Sequence, residues 1–124
     1  MAMDLQAMNV WAVLIGAVLY MVYGAVYYSV LVGKKKQAPG AMKYVVSVIV
    51  AFLSSFVVAV LVQTTGANNL MEGAAIGGMI GIVISLVYVK NVLFGLVTKQ
   101  NGLIAIGDHL IIFSILGAFH GLFL

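Results

Sequence analysis

Four long hydrophobic segments follow one another along the chain, separated by short polar interruptions. Each is long enough to cross a bilayer, which takes about 20 apolar residues in a helix. Because backbone groups in lipid must be hydrogen-bonded within the protein, we expect all four segments to be helical. The pattern predicts an all-α membrane protein, a four-transmembrane-helix bundle in one integral membrane domain (residues 1–124), with helices over about 9–33, 44–64, 70–94 and 102–124.

The turns between the segments carry signals of their own. Pro39 and Gly40 break the chain after the first segment. The polar stretch after the second segment ends in Asn68 and Asn69, either of which can cap the next helix, and Glu72 lies in the first turn of that helix. With short turns, the chain is expected to cross the membrane up-down-up-down.

Composition excludes a soluble protein. Of 124 residues, 65% are hydrophobic and 7% are charged, whereas a soluble domain carries about 25% charged residues. The mean hydropathy is +1.22, and a soluble fold of this size has too little interior to bury so much apolar surface. With no cysteine there is neither a disulfide framework nor a thiolate site. The lysines cluster at segment ends and form no nucleic-acid patch.

Lysine positions predict the topology. Both the first and the third connection are flanked by lysines, and together they account for all six: Lys34, Lys35, Lys36, Lys43, Lys90 and Lys99. The positive-inside rule therefore predicts cytoplasmic lysine loops and both termini on the outer side of the cell membrane. The N-terminus carries Asp4 and no basic residue, so we expect the first segment to stay in the mature protein and not to be cleaved as a signal peptide.

The third segment has a small residue at every fourth position, namely Gly73, Gly77, Gly81 and Ser85. These residues share one helix face, which lets another helix approach closely. Two interpretations are open, a packing groove for a neighbouring helix and a ligand or ion route along the same face. We expect Gly77→Leu or Gly81→Leu to disrupt folding or association more than Gly16→Leu, because Gly16 belongs to no such series.

Charged residues inside the segments are costly unless they face protein, water or an opposite charge. Asp108 lies about 9 Å inside the fourth segment, and a hairpin centred near Lys99 brings Lys90 to a similar depth. The two residues either form an intramembrane ion pair, or Lys90 extends to the headgroups beside a neutral or hydrated Asp108. The same hairpin geometry places Gln63 at the depth of Glu72, so the Gln63 carboxamide can hydrogen-bond to the Glu72 carboxyl group.

Neither histidine completes a metal or cofactor site. His109 and His120 share a helix face but are about 16 Å apart along it, too far to bind one metal ion. Bis-histidine haem would require a second copy of the chain. Glu72 and Asp108 are expected in opposite leaflets, so we predict neither a metal nor a cofactor. We expect His109 to be a hydrogen-bonded interior residue, and no catalytic constellation is identified.

Tyrosines concentrate in the first segment. Tyr27 and Tyr28 lie near its inner end, where aromatic residues anchor helices at the membrane interface. Tyr20 lies nearer the middle of the membrane, where its hydroxyl group needs a protein partner.

Short motifs occur over most of the chain: Asn9-x-x-Ala12; Gly24, Tyr28-Ser29 and Gly33-Lys34; Glu72-Gly73; and Asp108-His109. Together they resemble those of a family of small four-helix prokaryotic integral membrane proteins that is classed as a domain of unknown function. The resemblance implies a fold and a membrane location, but it implies no reaction.

Two classes of function follow. The first is a structural or accessory subunit that packs by its glycine-rich helix against itself or a larger membrane complex. The second is a small oligomeric proton-coupled carrier or channel, with a path lined by Glu72, Asp108, His109 and Lys90. Coupling sites lie near the bilayer centre, whereas these charges lie toward its two faces, which favours the first class. A membrane enzyme acting on a lipid or quinone is a distant third.

Overall fold

The computed structural model describes residues 8–31 and 40–123, and these residues form helices and contain no strand. There are four helices, which confirms the number of hydrophobic segments: α1, Val10–Leu31; α2, Met42–Thr65; α3, Leu70–Leu93; and α4, Lys99–Leu122. Each is long and apolar enough to span a membrane. Pro39 and the lysines at 34–36, with the turn and the charge predicted there, lie outside the described residues.

Helix α2 shows how strongly a lipid environment constrains the backbone. It is rich in valine, a residue that favours strands in water-soluble proteins. In lipid, however, each N–H and C=O group must find its partner within the protein, and a helix satisfies them inside one segment. The hydrophobic length of the segment therefore outweighs its β propensity.

The turn between α2 and α3 follows the predicted capping pattern. Gly66 ends α2 with a positive φ of 75°, a conformation that glycine adopts without strain. The Asn69 side chain accepts a hydrogen bond from the backbone N–H of Glu72 at 2.9 Å, which caps α3. Asn69 is thus one of the two cap residues that the sequence offered.

Helix α4 begins earlier than predicted. Thr98 caps it by accepting a hydrogen bond from the backbone N–H of Asn101 at 3.1 Å, and the helix starts at Lys99. The predicted start at residue 102 missed this first turn, because its polar residues resemble a loop in a hydropathy pattern. Lys99 therefore lies in a helix and not in the connection.

Helix α4 is the centre of the structure. It packs against all three other helices, and most extensively against α3. The buried apolar cluster joins α2 and the turn after it to α4, and consists of Val58, Val62, Ala67, Ile112, Phe113 and Leu116. Tyr20 of α1 packs edge-on against Phe113, with ring centroids 6.1 Å apart.

The two ends of the helices differ in composition. At one end, here called the terminal end, Asn9 and Phe123 line a common cavity, and the α2–α3 turn reaches α4 where Asn69 meets Gly121. The opposite end, here called the lysine end, contains the start of α2 and the α3–α4 turn, with Lys43 and Lys99.

Candidate functional site

Small residues bring α3 and α4 into backbone contact. The buried residues of α3 are Gly73, Gly77, Gly81 and Ser85. A Cβ atom at Gly73 or Gly77 would overlap a carbonyl oxygen of α4, and one at Gly81 would lie 2.9 Å from another. Since the α4 partners fall in number as the α3 residues rise, the two helices run antiparallel.

Helix α4 of the same chain therefore covers this face of α3. The hypothesis that the face receives a helix of another protein is wrong for the part that the glycines occupy. The matching residues on α4 are Gly117 and Gly121, whose absent Cβ atoms would overlap the carbonyl oxygens of Gly73 and Asn69. This pair has the same four-residue spacing as the glycines of α3, but it was not among the predicted packing residues.

A carboxyl group joins α1 to α4 near the lysine end. The Tyr28 hydroxyl donates a hydrogen bond to Oδ2 of Asp108 at 2.8 Å, and Asp108 is only 7% exposed. The Tyr27 hydroxyl donates to the carbonyl oxygen of Ile104 at 2.7 Å, one turn away. Tyr28 and Asp108, here called the carboxyl site, belong to two of the motifs that carry the family resemblance.

The predicted ion pair between Lys90 and Asp108 is wrong. Lys90 is exposed on α3, and within the described residues the only basic side chain with a nitrogen within 4 Å of the Asp108 carboxyl group is that of His109. The prediction rested on the equal depth of the two residues in the membrane. Equal depth does not specify the direction in which each side chain points around its helix axis. The Asp108 carboxyl group is turned toward α1, where a tyrosine satisfies one of its oxygens.

His109 lies beside the carboxyl site. Its Nδ1 is 2.7 Å from the carbonyl oxygen of Ala105, and because a carbonyl only accepts, Nδ1 carries the proton of that bond. Nδ1 is also 3.9 Å from Oδ2 of Asp108. The imidazole ring lies between Tyr88 and Phe113, at centroid distances of 5.4 and 6.2 Å.

A second polar site, here called the histidine site, lies toward the terminal end and joins three helices through Val13, Ser55 and His120. The Ser55 hydroxyl donates to the carbonyl oxygen of Val13 at 2.8 Å, and its Oγ lies 3.0 Å from Nε2 of His120. Ser55 is fully buried and His120 is 3% exposed. Ser55 of α2 thus contacts both α1 and α4.

Gly16 makes room for the histidine site. A Cβ atom there would overlap Oγ of Ser55 and lie 3.0 Å from Nε2 of His120. Gly16 is therefore crowded although it stands outside the α3 series of small residues, and the expectation that Gly16→Leu disrupts the protein less than Gly77→Leu stays a prediction. Single polar residues on helices far apart in sequence have no spacing signal, so only the fold reveals that they meet.

Glu72 forms a hydrogen bond at the start of its own helix, α3. It is exposed, and its Oε1 accepts a hydrogen bond from the backbone N–H of Asn68 at 3.1 Å. This bond closes the turn that precedes α3, while the Asn69 side chain caps the backbone N–H of Glu72 in the first turn of the helix. Gln63 is partly buried in the last turn of α2, and its pairing with Glu72 stays a prediction.

An apolar layer separates the carboxyl site from the histidine site. Asp108 and His120 are 12 residues apart, about 18 Å along α4. Between them α4 buries Ile112, Phe113 and Leu116 against the rest of the chain. In the described ranges, no group of three or more His, Asp or Glu side chains could hold a metal ion.

Helix α1 is open near the lysine end. Its surface there carries a groove of about 310 Å³, lined by Tyr23, Val26, Tyr27, Val30 and Leu31. The hydroxyl of Tyr23 is buried and has no hydrogen-bond partner in the part of the chain that the structure describes. Its ring stacks on Tyr27, with centroids 5.6 Å apart.

Residues 11–121 match a family described as a protein of unknown function (DUF1761). The chain belongs to this family. The resemblance to a four-helix family of unknown function is thus confirmed, and the matched range of this DUF1761 protein includes both polar sites. The comparisons with curated proteins and with solved structures found no match.

Proposed function

We propose that this DUF1761 protein is a structural or accessory component of the cell membrane, which associates with further copies of itself or with a larger membrane complex. The observation that carries the proposal is the exposure of α2 near the lysine end. Residues 45–50 are all exposed, and six successive helical residues cover every direction around the axis. This part of α2 therefore buries no face against the residues that the structure describes.

A transmembrane helix is normally stabilised by close van der Waals packing on at least one side. The lysine-end part of α2 has no such packing against the described residues, whereas the terminal-end part buries Ser55, Val58 and Val62. A partner that covers residues 45–50 would supply the missing contacts. The association surface that we propose is thus on α2, and not on the small-residue face of α3.

The interior also favours a structural role. The hydrogen bonds of Tyr28 and Ser55 each join two different helices, which is how polar groups hold membrane helices together. Between the two sites, the buried side chains of α4 are apolar. A proton or solute moving along α4 from the carboxyl site would meet this apolar layer before it reached the histidine site.

The orientation in the membrane is part of the proposal. We infer an up-down-up-down path with both termini outside and the lysine end in the cytoplasm, since Lys43, Lys90 and Lys99 of the described chain all lie at or near that end. Reporter fusions at the two termini test it. A cytoplasmic C-terminus would reverse the assignment.

Native association can be tested directly because the chain has no cysteine. Ser47→Cys places a thiol within the exposed part of α2, and Val83→Cys places one on the exposed surface of α3. In native membranes we expect a bifunctional thiol–amine cross-linker to join Ser47→Cys to a second chain and to leave Val83→Cys uncoupled. The complex extracted in mild detergent should be larger than one chain.

A single-chain particle, together with equal cross-linking at the two positions, would contradict the proposal. The alternative, a proton-coupled carrier, rests on the burial of Asp108 within a span. It predicts that Asp108→Asn leaves thermal stability unchanged but abolishes a proton-dependent flux into liposomes. A structural role predicts lower stability and no such flux.

A further inference from the structure

A small cavity at the terminal end opens beside the histidine site, and we propose that it binds a soft monovalent metal ion of the Cu(I) type through Met8 and His120. The cavity has a volume of about 10 Å³, the room that one water molecule or one metal ion needs. Its walls are formed by residues from α1, from the chain just before it, from α2 and from the end of α4: Met8, Asn9, Ala12, Ala59, His120 and Phe123.

The hydrogen bonds of Ser55 determine which nitrogen of His120 is available. The single hydroxyl proton of Ser55 is donated to the Val13 carbonyl oxygen, so Oγ can only accept in its contact with His120. Nε2 must therefore carry the imidazole proton in that 3.0 Å bond. Nδ1 of the neutral ring keeps its lone pair, and it has no hydrogen-bond partner in residues 8–31 and 40–123.

This arrangement is the one that metal-binding histidines use. Such a histidine donates its second ring N–H to an oxygen acceptor, which orients the ring and keeps the coordinating nitrogen unprotonated. Ser55 is that acceptor here. Gly16 against the edge of the ring and Phe119, whose ring centroid is 5.4 Å away, hold the imidazole in place.

The second side chain with a coordinating atom points to the class of metal. Met8 offers a thioether sulfur, which prefers soft ions such as Cu(I). None of the described residues that line the cavity carries a carboxylate, the group that hard divalent cations require. Asn9 is already occupied, because its side-chain oxygen accepts a hydrogen bond from the backbone N–H of Ala12 at 3.1 Å.

The test uses the full chain in detergent, titrated with Cu(I) under reducing conditions against a competing chelator. We expect one equivalent to bind, with one nitrogen and one sulfur neighbour in the X-ray absorption spectrum. Met8→Leu conserves volume and should remove the sulfur neighbour and weaken binding at least tenfold. Ser55→Ala, which removes the acceptor for Nε2–H, should weaken binding about 10- to 100-fold.

Two matched variants serve as controls. Met79→Leu changes an exposed methionine of α3, and His109→Gln changes the histidine near the lysine end, so both should bind Cu(I) like the unaltered chain. Circular dichroism checks that each variant is folded. The proposal is overturned if no Cu(I) binds against the chelator, or if Met8→Leu binds as tightly as Met79→Leu, in which case the cavity holds water only.

Discussion

The two helix pairs of this protein differ sharply in how closely they pack. Helices α3 and α4 touch backbone to backbone along a line of glycines that extends from Gly73 to Gly81 on α3. Helices α1 and α2 contact each other toward the terminal end, where Ser55 reaches the carbonyl oxygen of Val13. Toward the lysine end no atom of the described residues lies within 4 Å of the position that a Cβ atom at Gly24 would take.

Side-chain size explains the difference. The α3–α4 pair has small residues at matching positions on both helices, which lets the axes approach until carbonyl oxygens meet the opposite Cα atoms. Helix α2 contains no glycine, and the residues that it buries toward the terminal end include the small Ala51, Ser55 and Ala59. Near the lysine end, residues 45–50 are mostly β-branched and all exposed. Equally hydrophobic helices therefore form one tight pair and one open pair.

The largest effect is expected at the tight pair. A Cβ atom at Gly77 would overlap the carbonyl oxygen of Phe113, and a helix backbone cannot move aside as a side chain can. Gly77→Leu should lower the free energy of unfolding by about 3 kcal/mol or more. Denaturation in detergent micelles measures this change in the free energy of unfolding. Gly24→Leu, in the open pair, should change it by less than about 0.5 kcal/mol.

Gly16→Leu should lie between these two, because the obstructing atoms belong to the side chains of Ser55 and His120. Equal losses for Gly24→Leu and Gly77→Leu would remove the contrast between the pairs.

The next effect is expected in the apolar layer. Leu116 is fully buried, and Leu116→Ala should cost about 2–5 kcal/mol through lost contacts and the cavity left behind. Leu53→Ala on the exposed side of α2 is the control, since Leu53 is 59% exposed. Similar losses at both positions, in the same denaturation assay, would mean that a partner or ordered lipid buries Leu53.

Ser55 should have a smaller effect. Ser55→Ala leaves the Nε2–H group of His120 and the Val13 carbonyl without their buried partner, at a cost of about 1–3 kcal/mol. Ser47 is the matched control, because it is exposed and bonds within its own helix to the carbonyl oxygen of Lys43. A loss in Ser47→Ala as large as in Ser55→Ala would show that the two ends of α2 are equally constrained.

The smallest effect is expected at the carboxyl site. Tyr28→Phe removes one interhelical hydrogen bond, worth about 1 kcal/mol in a membrane protein. In a double-mutant cycle, the unfolding free energies lost in Tyr28→Phe and in Asp108→Leu should not add, because the two residues share one hydrogen bond. Lys90→Met and Asp108→Leu should instead be additive within about 0.5 kcal/mol. If the Lys90→Met, Asp108→Leu double variant recovered the stability lost in the single variants, the result would contradict this expectation and support an ion pair between Lys90 and Asp108.

Local patterns predicted most of the secondary structure. Hydrophobic length located the four helices, and the Asn69 cap followed from polar residues next to an apolar run. The start of α4 was missed because hydropathy does not distinguish a polar first turn from a loop. The small residues of α3 were recognised, but their partners Gly117 and Gly121 were not.

The candidate sites were less predictable. Asp108 and His120 could be identified as polar residues inside a hydrophobic segment, since such residues are costly in lipid. Their partners Tyr28 and Ser55 are 80 and 65 residues away, and spacing in the chain contains no information about contacts at that distance. The wrong ion pair between Lys90 and Asp108 has the same origin, because counting residues from a hairpin turn gives only the depth of each residue in the membrane.

The sequence by itself determined that the chain forms four apolar helices, because length and hydrophobicity act within each segment. It also determined that one face of α3 accepts a close neighbour, because helical periodicity places Gly73, Gly77 and Gly81 in line. Only the tertiary structure decided that α4 fills that face, that Asp108 turns to Tyr28, and that residues 45–50 are exposed to the surroundings of the described chain. Lipid is as apolar as the side chains themselves, so hydrophobicity does not select partners within a membrane, and the fit between small residues and backbones does.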